Sequence, residues 1–227
     1  MKIYLNDRRQ AKPNSIRFDR AVTWTGIMGM KRIVTLIFAS CLFFQIQAQE
    51  TKPQFLKEPA NWEFERFPLP PGFAPHFGYK GVEELRFAPG MFKKDTVDYF
   101  TYAFVAQLDS VTSFSASQLQ DYLYVYFKGL CSSTALNRKL IIDTSKITAV
   151  VSSKSRKTNG GVIYDCTLNV FGVFADGAPV RLNAEVKVMT DQQAQKTYLV
   201  FITSPLEKAN AVWKELYAIQ NRFVIPE

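Results

Sequence analysis

Residues 162–203 read VIYDCTLNVFGVFADGAPVRLNAEVKVMTDQQAQKTYLVFIT, and this stretch decides the fold class. Runs rich in β-branched and aromatic residues occupy 162–174, 180–189 and 197–203. Asp-Gly at 176–177 and Asp-Gln-Gln at 191–193 separate them, and such residues form tight turns. We therefore predict three strands that pair as antiparallel hairpins. Polar and apolar residues alternate over 181–188, which predicts one core face and one wet face.

Three more strands are predicted upstream, at 81–87, 97–108 and 147–153. The second carries Phe104 and its period-two neighbours on one face and Val105 with its neighbours on the other. Because both faces are largely apolar or aromatic, we expect a central strand that is covered on both sides.

Two amphipathic segments predict helices. Ser115 with Gln118 forms a capping-box pattern, and an apolar stripe follows until a Ser-rich exit after Gly129. A second helix is expected to begin at Ser204-Pro205, with Trp213, Leu216 and Ile219 in its buried stripe. The order predicts one α+β domain over 81–227, with a mainly antiparallel sheet packed by two helices, one mid-chain and one C-terminal.

Residues 30–48 have the layout of a secretory signal peptide. A short basic region precedes an apolar run from Ile33 to Phe44, and a polar stretch ends at Ala48, where we expect cleavage. The run is too short to span a membrane, so we expect no transmembrane span in the mature chain. Residues 1–29 are polar and basic and are expected to be a mis-annotated or disordered extension. Periplasm and secretion stay open, since both begin with the same signal.

Cys41 offers an alternative location, because Phe38-Ala39-Ser40-Cys41 resembles a bacterial lipobox. The apolar run continues past Cys41, whereas lipoproteins usually turn polar there. We prefer Cys41 as an apolar residue of the signal core, and a lipid-anchored assembly factor stays an alternative.

Residues 49–80 combine six prolines with seven aromatic residues. Proline this dense prevents regular helix and central strand, and so many rings argue against a free linker. We expect an extended arm that lays its rings on the folded body. The alternative is an aromatic docking surface for a partner, with Trp62, Phe64 and Phe73 as its candidates.

Charge and composition exclude several function classes. The net charge of +8 comes mainly from residues 1–48, which hold eight Lys/Arg against two Asp/Glu, so bulk charge does not indicate nucleic acid. One His and three Cys exclude most zinc sites, and phosphate-loop, dinucleotide and Gly-x-Ser-x-Gly motifs are missing from the sequence. We expect no metal and no cofactor.

Glu84, Arg86 and His76 are the weak catalytic candidates. Glu84 and Arg86 share one strand face, where a general base could stand beside a group that holds an anionic substrate. The plainer interpretation is an exposed ion pair near a sheet edge, which stabilises little. His76 lies in the Pro/aromatic arm, and a lone loop His is more often a surface residue.

Two further groups of residues are candidates for binding or cross-linking. Lys154, Arg156 and Lys157 form a basic hairpin tip that could touch phosphate, lipid headgroups or an acidic partner, or could simply be solvated. Cys131 and Cys166 are predicted to face one layer, so a disulfide and two separate buried thiols both stay open.

The order of elements, ending in Asn221-Arg222-Phe223, resembles the PsbP-like α+β sandwich. Segments 81–92 (GVEELRFAPGMF) and 212–216 (VWKEL) resemble parts of exported bacterial proteins to which no activity attaches. PsbP-like folds mostly serve as accessory or binding modules, so the resemblance implies a non-enzymatic role. We therefore expect an exported binding domain for a partner protein or an apolar small molecule, with a small envelope hydrolase as the rival hypothesis.

Overall fold

Seven strands form one antiparallel sheet in the computed structural model, which describes residues 52–158 and 160–226. The strands are β1 (Glu63–Leu69), β2 (Gly81–Phe87), β3 (Tyr102–Asp109), β4 (Thr148–Thr158), β5 (Gly161–Phe171), β6 (Pro179–Asp191) and β7 (Lys196–Ser204). Helix α1 spans Ala116–Arg138, α2 spans Val212–Arg222, and a short 3₁₀ turn lies at Thr144–Lys146. The predicted α+β class, with an antiparallel sheet and two helices, is confirmed.

The chain builds the sheet from two meanders. Strands β1, β2 and β3 follow one another, and α1 then carries the chain to β4 at the opposite edge. The second meander, β4 to β7, returns until β7 pairs with β3, which gives the order β1-β2-β3-β7-β6-β5-β4. The last strands of the two meanders, β3 and β7, therefore pair at the centre of the sheet.

Strand β3 is covered on both sides, as its pattern predicts. Phe104 packs under α1 and stacks on Phe201 of β7 with ring centroids 4.5 Å apart. Val105 pairs with Val200 and points to the opposite layer. That layer holds Trp213 of α2 and apolar residues of the N-terminal segment, residues 54–62. The sheet thus separates two hydrophobic cores.

Helix α1 begins as predicted and ends later than predicted. The capping box is present, with the Ser115 hydroxyl accepting from the Gln118 amide and the Gln118 side chain accepting from the Ser115 amide. The helix then continues through Gly129 to Arg138, and Lys139 closes it in the left-handed conformation. Gly129 is not a helix stop, because its missing side chain lets the loop at Phe73 and Ala74 approach: a Cβ there would lie 2.7 Å from the Phe73 carbonyl oxygen.

The predicted start of α2 at Ser204-Pro205 is wrong. Ser204 still pairs with Asn183 as the last residue of β7, and its hydroxyl accepts hydrogen bonds from the Thr101 hydroxyl and the Leu206 amide. Residues 205–211 form a loop, and α2 begins at Val212, whose amide donates to the Asn210 side chain. Ser204 thus belongs to the pairing of β6 with β7, although its local sequence is typical of a helix cap.

Two differences concern the N-terminal half of the sheet. The Pro/aromatic arm contributes a strand, β1, where no strand was predicted, and its position at the sheet edge explains why Pro68 is tolerated. Strand β3 begins at Tyr102 rather than Val97, because residues 88–101 form successive turns and Phe100 has a φ of 50°.

Residues 1–51 lie outside the described residues, and so do the extension 1–29, the predicted signal segment 30–48 and Cys41. Within the described part of the chain, neither helix has the length and apolar character that a membrane crossing needs.

We predict that Gly129→Ala lowers the free energy of unfolding by about 1–2 kcal/mol, because the added methyl group pushes on the Phe73–Ala74 loop. Helix propensity alone predicts the opposite sign, a gain of about 1 kcal/mol. Urea unfolding decides between them. Ser132→Ala, at an exposed position one turn further along α1, is the control and should be neutral or slightly stabilising. A stabilised Gly129→Ala variant would show that the loop does not press on the helix.

Candidate functional site

Strand β2 places two neighbouring acids, Glu83 and Glu84, in opposite cores. Successive side chains of a strand point to opposite faces, so Glu83 faces α1 and Glu84 faces the N-terminal segment. Both side chains are fully buried, with 0% exposure. A buried carboxyl group needs partners, and the two residues find very different ones.

Glu84 is bound by three backbone amides and one guanidinium. Its carboxylate accepts hydrogen bonds from the amides of Gln54, Phe55 and Leu56 at 2.8, 2.7 and 3.1 Å. Arg66, which lies opposite Glu84 on β1, donates a hydrogen bond to the same carboxylate at 2.8 Å. These contacts hold the N-terminal segment against the sheet.

Arg86 holds the same segment by its carbonyl groups. Its guanidinium donates to the carbonyl oxygens of Leu56 and Trp62, each at 2.9 Å, and lies over the ring of Phe64 with its central carbon 5.0 Å from the ring centroid. Glu84 and Arg86 together therefore hold residues 54–62 against the sheet. We call these two side chains and their contacts the N-terminal clamp.

Glu84 and Arg86 share one face of β2, as predicted, since both bind Leu56, but His76 does not join them. Glu84 and Arg86 are buried rather than exposed, and Glu84 pairs with Arg66 across β1. His76 is exposed in the loop beside Tyr124 and Lys128 of α1, on the other side of the sheet. The structure thus does not bring the three candidates together.

We predict that Glu84→Ala loosens the N-terminal clamp and lowers the free energy of unfolding by about 3–5 kcal/mol, since it leaves buried amides without an acceptor. Amide hydrogen exchange at Gln54, Phe55 and Leu56 should accelerate. Glu63→Ala removes an exposed acid from the same sheet edge and should change neither measurement. Unchanged exchange in the Glu84 variant would contradict the clamp.

Glu83 lies among three tyrosines on the α1 side of the sheet. The Tyr126 hydroxyl donates to its Oε1 at 2.6 Å. Among the described residues, Glu83 Oε2 and the Tyr102 hydroxyl have no hydrogen-bond partner. The Tyr122 hydroxyl has none of standard geometry but lies close enough to the Glu83 carboxyl group to lower its pKa. We call these four residues the acid–tyrosine cluster.

Burial sets the protonation of the acid–tyrosine cluster. Desolvation raises the pKa of Glu83 to about 8, although the hydrogen bond from Tyr126 lowers it in part. Burial also raises the pKa values of Tyr102, Tyr122 and Tyr126 well above that of free tyrosine, with a further contribution from Glu83. At neutral pH the cluster is therefore uncharged and rich in hydrogen-bond donors.

A pocket of about 210 Å³ adjoins the acid–tyrosine cluster, and Tyr102 and Tyr126 belong to both. It lies between α1, the ends of β1 to β3 and the loop after β5. Its aromatic walls come from distant parts of the chain and include Phe67, Phe73, Phe87, Phe92 and Phe174. Leu85, Met91 and Leu130 fill the remaining wall, and Glu65 is the one charged residue among those described around it.

We predict that Glu83→Gln stabilises the protein at alkaline pH. Between about pH 4.5 and 8, Glu83 ionises in the unfolded chain but stays protonated in the folded protein. The free energy of unfolding of the wild type therefore falls by about 1.4 kcal/mol per pH unit across this window. Below this window both forms are neutral and should unfold alike. At about pH 8 the variant should be more stable by roughly 3–5 kcal/mol.

Urea unfolding from acid to alkaline pH measures this difference. The exposed Glu63→Gln variant is the control and should follow the wild type throughout. Wild-type and Glu83→Gln curves that stay parallel across the window would contradict the assignment of Glu83 as a buried neutral acid.

The remaining aromatic candidates separate in the structure. Trp62 is buried in the core beneath the sheet, and Phe64 lies under Arg86, so both serve the N-terminal clamp. Phe73 alone among the three lines the pocket, where its ring meets Tyr126 edge-on at 5.0 Å.

The basic candidates lie along β4 rather than at the hairpin tip. Lys154 falls in a bulge, and Arg156 and Lys157 pair with β5. Arg156 forms an ion pair with the buried Glu185 at 2.7 Å, and Lys208 binds the same carboxylate at 2.7 Å. Arg156 is thus already neutralised by an acid of the sheet.

Cys131 and Cys166 are free, buried thiols in the described part of the chain. Cys131 lies in the middle of α1 rather than at its end. Burial raises the pKa of both thiols, that of Cys166 to about 12, so neither is a ready nucleophile. Residues 52–158 and 160–226 contain no group of three or more His, Cys, Asp or Glu side chains arranged to hold a metal ion.

No protein-family model matches the chain, and no curated protein matches it.

Sequence reasoning missed the acid–tyrosine cluster, although its signals are present. Tyr122 and Tyr126 belong to the predicted buried stripe of α1, and Glu83 alternates with Leu85 and Phe87 on one face of β2. An acid on an apolar strand face is the signal, but only the packing of α1 on β2 brings the tyrosines to it.

Proposed function

We propose that this chain is an exported, non-catalytic binding domain that takes an apolar ligand in the pocket beside Tyr102 and Tyr126. The observation that carries the proposal is an apolar, aromatic-walled pocket with an uncharged carboxyl group buried next to it. Ligand sites in proteins commonly combine apolar walls with a few polar groups of this kind.

The size of the pocket favours a small ligand. Pockets for drug-sized molecules usually measure about 300–1,000 Å³, whereas this one measures about 210 Å³. It suits one ring or a short chain. An aromatic or aliphatic side chain of a partner protein has the same size, and Phe92, which is 42% exposed at the wall, offers such a partner a contact outside the pocket.

The energetics of Glu83 support a functional role. An apolar residue of similar size would fill the same position without a desolvation penalty, so the acid makes the fold less stable at neutral pH. Groups with strongly perturbed pKa values cluster at functional sites. A destabilising acid beside a pocket is consistent with selection for binding.

Export and an accessory role complete the proposal. The signal-like segment 30–48 supports transfer across a membrane, to the periplasm or to the outside of the cell. The resemblance to the PsbP-like sandwich supports a binding role rather than catalysis.

Two rival hypotheses remain testable. A hydrolase would need Glu84, Arg86 and His76 to act together. Glu84 and Arg86 lie on one side of the sheet, and His76 lies on the other. A lipid-anchored factor would retain a labelled fatty acid through Cys41, and a Cys41→Ser variant would lose it.

We predict that filling the pocket abolishes binding of a small apolar probe. Toluene should raise the Tm of the wild type, because a ligand that binds only the folded state stabilises it. Leu130→Trp places an indole at the pocket wall and should remove this increase. Leu136→Trp, on the same helix at a position that is 79% exposed, should retain it.

Chemical-shift changes in two-dimensional NMR spectra should place the toluene at Tyr102 and Tyr126. An equal response of the wild type and the Leu130 variant, or shift changes elsewhere, would contradict the assignment of this pocket.

A further inference from the structure

Resting on the proposed binding function, we propose that the pocket selects neutral ring compounds with one carbonyl oxygen, which accepts a hydrogen bond from the Tyr102 hydroxyl once the Met91 side chain moves aside. A ketone, an ester or an amide attached to a ring belongs to this class.

The acid–tyrosine cluster supplies donors in excess. Tyr126 uses its hydroxyl on Glu83 Oε1, and the Tyr122 hydroxyl lies close to the same carboxyl group without a hydrogen bond of standard geometry. Glu83 Oε2 and the Tyr102 hydroxyl lack partners within the described residues. A neutral carboxyl group and two phenols carry three O–H donors. A carbonyl oxygen has two lone pairs and no donor, so it complements this set better than a hydroxyl or an amine does.

Tyr102 connects the cluster to the pocket, because its side chain lines the pocket while its unpartnered hydroxyl is buried beneath the pocket surface. A ligand can reach this hydroxyl only if a wall residue moves. Met91 is the neighbouring wall residue that can yield, since an unbranched thioether changes rotamer more easily than the aromatic walls. A ligand ring then packs against aromatic walls that already meet edge-on, as Phe92 and Phe174 do at 5.4 Å.

Charge excludes anionic members of the class. Glu65 is the charged residue among those described in the lining, and it is acidic. A carboxylate ligand would lose its water next to Glu65, with Glu83 buried behind the wall, and the described lining offers it no basic partner. Fatty acids and aromatic acids are therefore disfavoured, although they are equally apolar in their hydrocarbon parts.

The protonation of Glu83 sets the pH range of binding. The groups that face it are Glu65 of β1, Tyr102 of β3 and Tyr122 and Tyr126 of α1. Its pKa of about 8 leaves Glu83 uncharged at neutral pH. Above that range the carboxylate attracts the Tyr102 hydroxyl as its own donor and repels a carbonyl oxygen bound there. Affinity for the ketone should therefore fall as the pH rises through this range, while affinity for a hydrocarbon of the same shape should change less.

Three probes of similar shape test the proposal: acetophenone, α-methylstyrene, in which a methylene group replaces the carbonyl oxygen, and benzoate. NMR titration at neutral pH gives their dissociation constants. Water solvates the ketone better, so a purely apolar pocket would prefer the hydrocarbon. We expect acetophenone to bind at least as tightly as α-methylstyrene, and benzoate to bind at least about tenfold more weakly than acetophenone.

Tyr102→Phe should weaken acetophenone binding about fivefold to tenfold relative to α-methylstyrene, the loss expected for one hydrogen bond. Tyr124→Phe removes the hydroxyl of an exposed tyrosine on α1 and should leave the ratio unchanged. Glu83→Gln should keep acetophenone binding at neutral pH, since the amide is uncharged like the neutral carboxyl group, and should remove its decline at alkaline pH. The pH profile stays informative if Tyr102→Phe folds poorly.

The outcomes separate the two proposals. If α-methylstyrene binds in the pocket and is preferred to acetophenone in both the wild type and Tyr102→Phe, carbonyl selection is overturned and the pocket stands. Benzoate binding as tightly as acetophenone overturns the charge argument. If neither neutral probe binds, the proposed binding function falls together with this inference.

Discussion

The central strands β3 and β7 present apolar side chains on both faces, and the need to cover both faces constrains the rest of the structure. Helix α1 covers one face, while α2 and the N-terminal segment cover the other. A sheet buried on both sides leaves little room for polar groups in its central strands. Charged residues therefore concentrate at the two flanks, where β2 and β6 carry buried acids.

Strand β2 shows two ways to bury a carboxyl group. Glu84 accepts hydrogen bonds from three backbone amides and from Arg66, so its carboxylate holds residues 54–56 against the sheet. Glu83 has tyrosine hydroxyls as its hydrogen-bonding neighbours, and the charge nearby is another acid, Glu65, so burial favours its protonated form. One position apart on the same strand, the first arrangement stabilises the fold and the second destabilises it as the pH rises. This contrast distinguishes a structural acid from a candidate for function.

The pocket exists because α1 is aromatic where it passes β2 and β3. Tyr122 and Tyr126 stack with nearly parallel rings, and Phe73 and Phe77 from the preceding loop pack edge-on against them. Gly129 lets this loop reach the helix, so one missing side chain helps to place Phe73 at the pocket wall.

The sequence by itself determined the elements whose signals are local: the strand alternation, the capping box at Ser115 and the buried stripe of α1. It did not determine the end of α1 or the start of α2, because Gly129 and Ser204 have tertiary partners that outweigh their local preferences. Only the tertiary structure decided the candidate site. Glu83, Tyr102 and Tyr126 lie on three separate elements, β2, β3 and α1, that only packing brings together. A pKa depends on the surroundings that packing creates rather than on residue type alone.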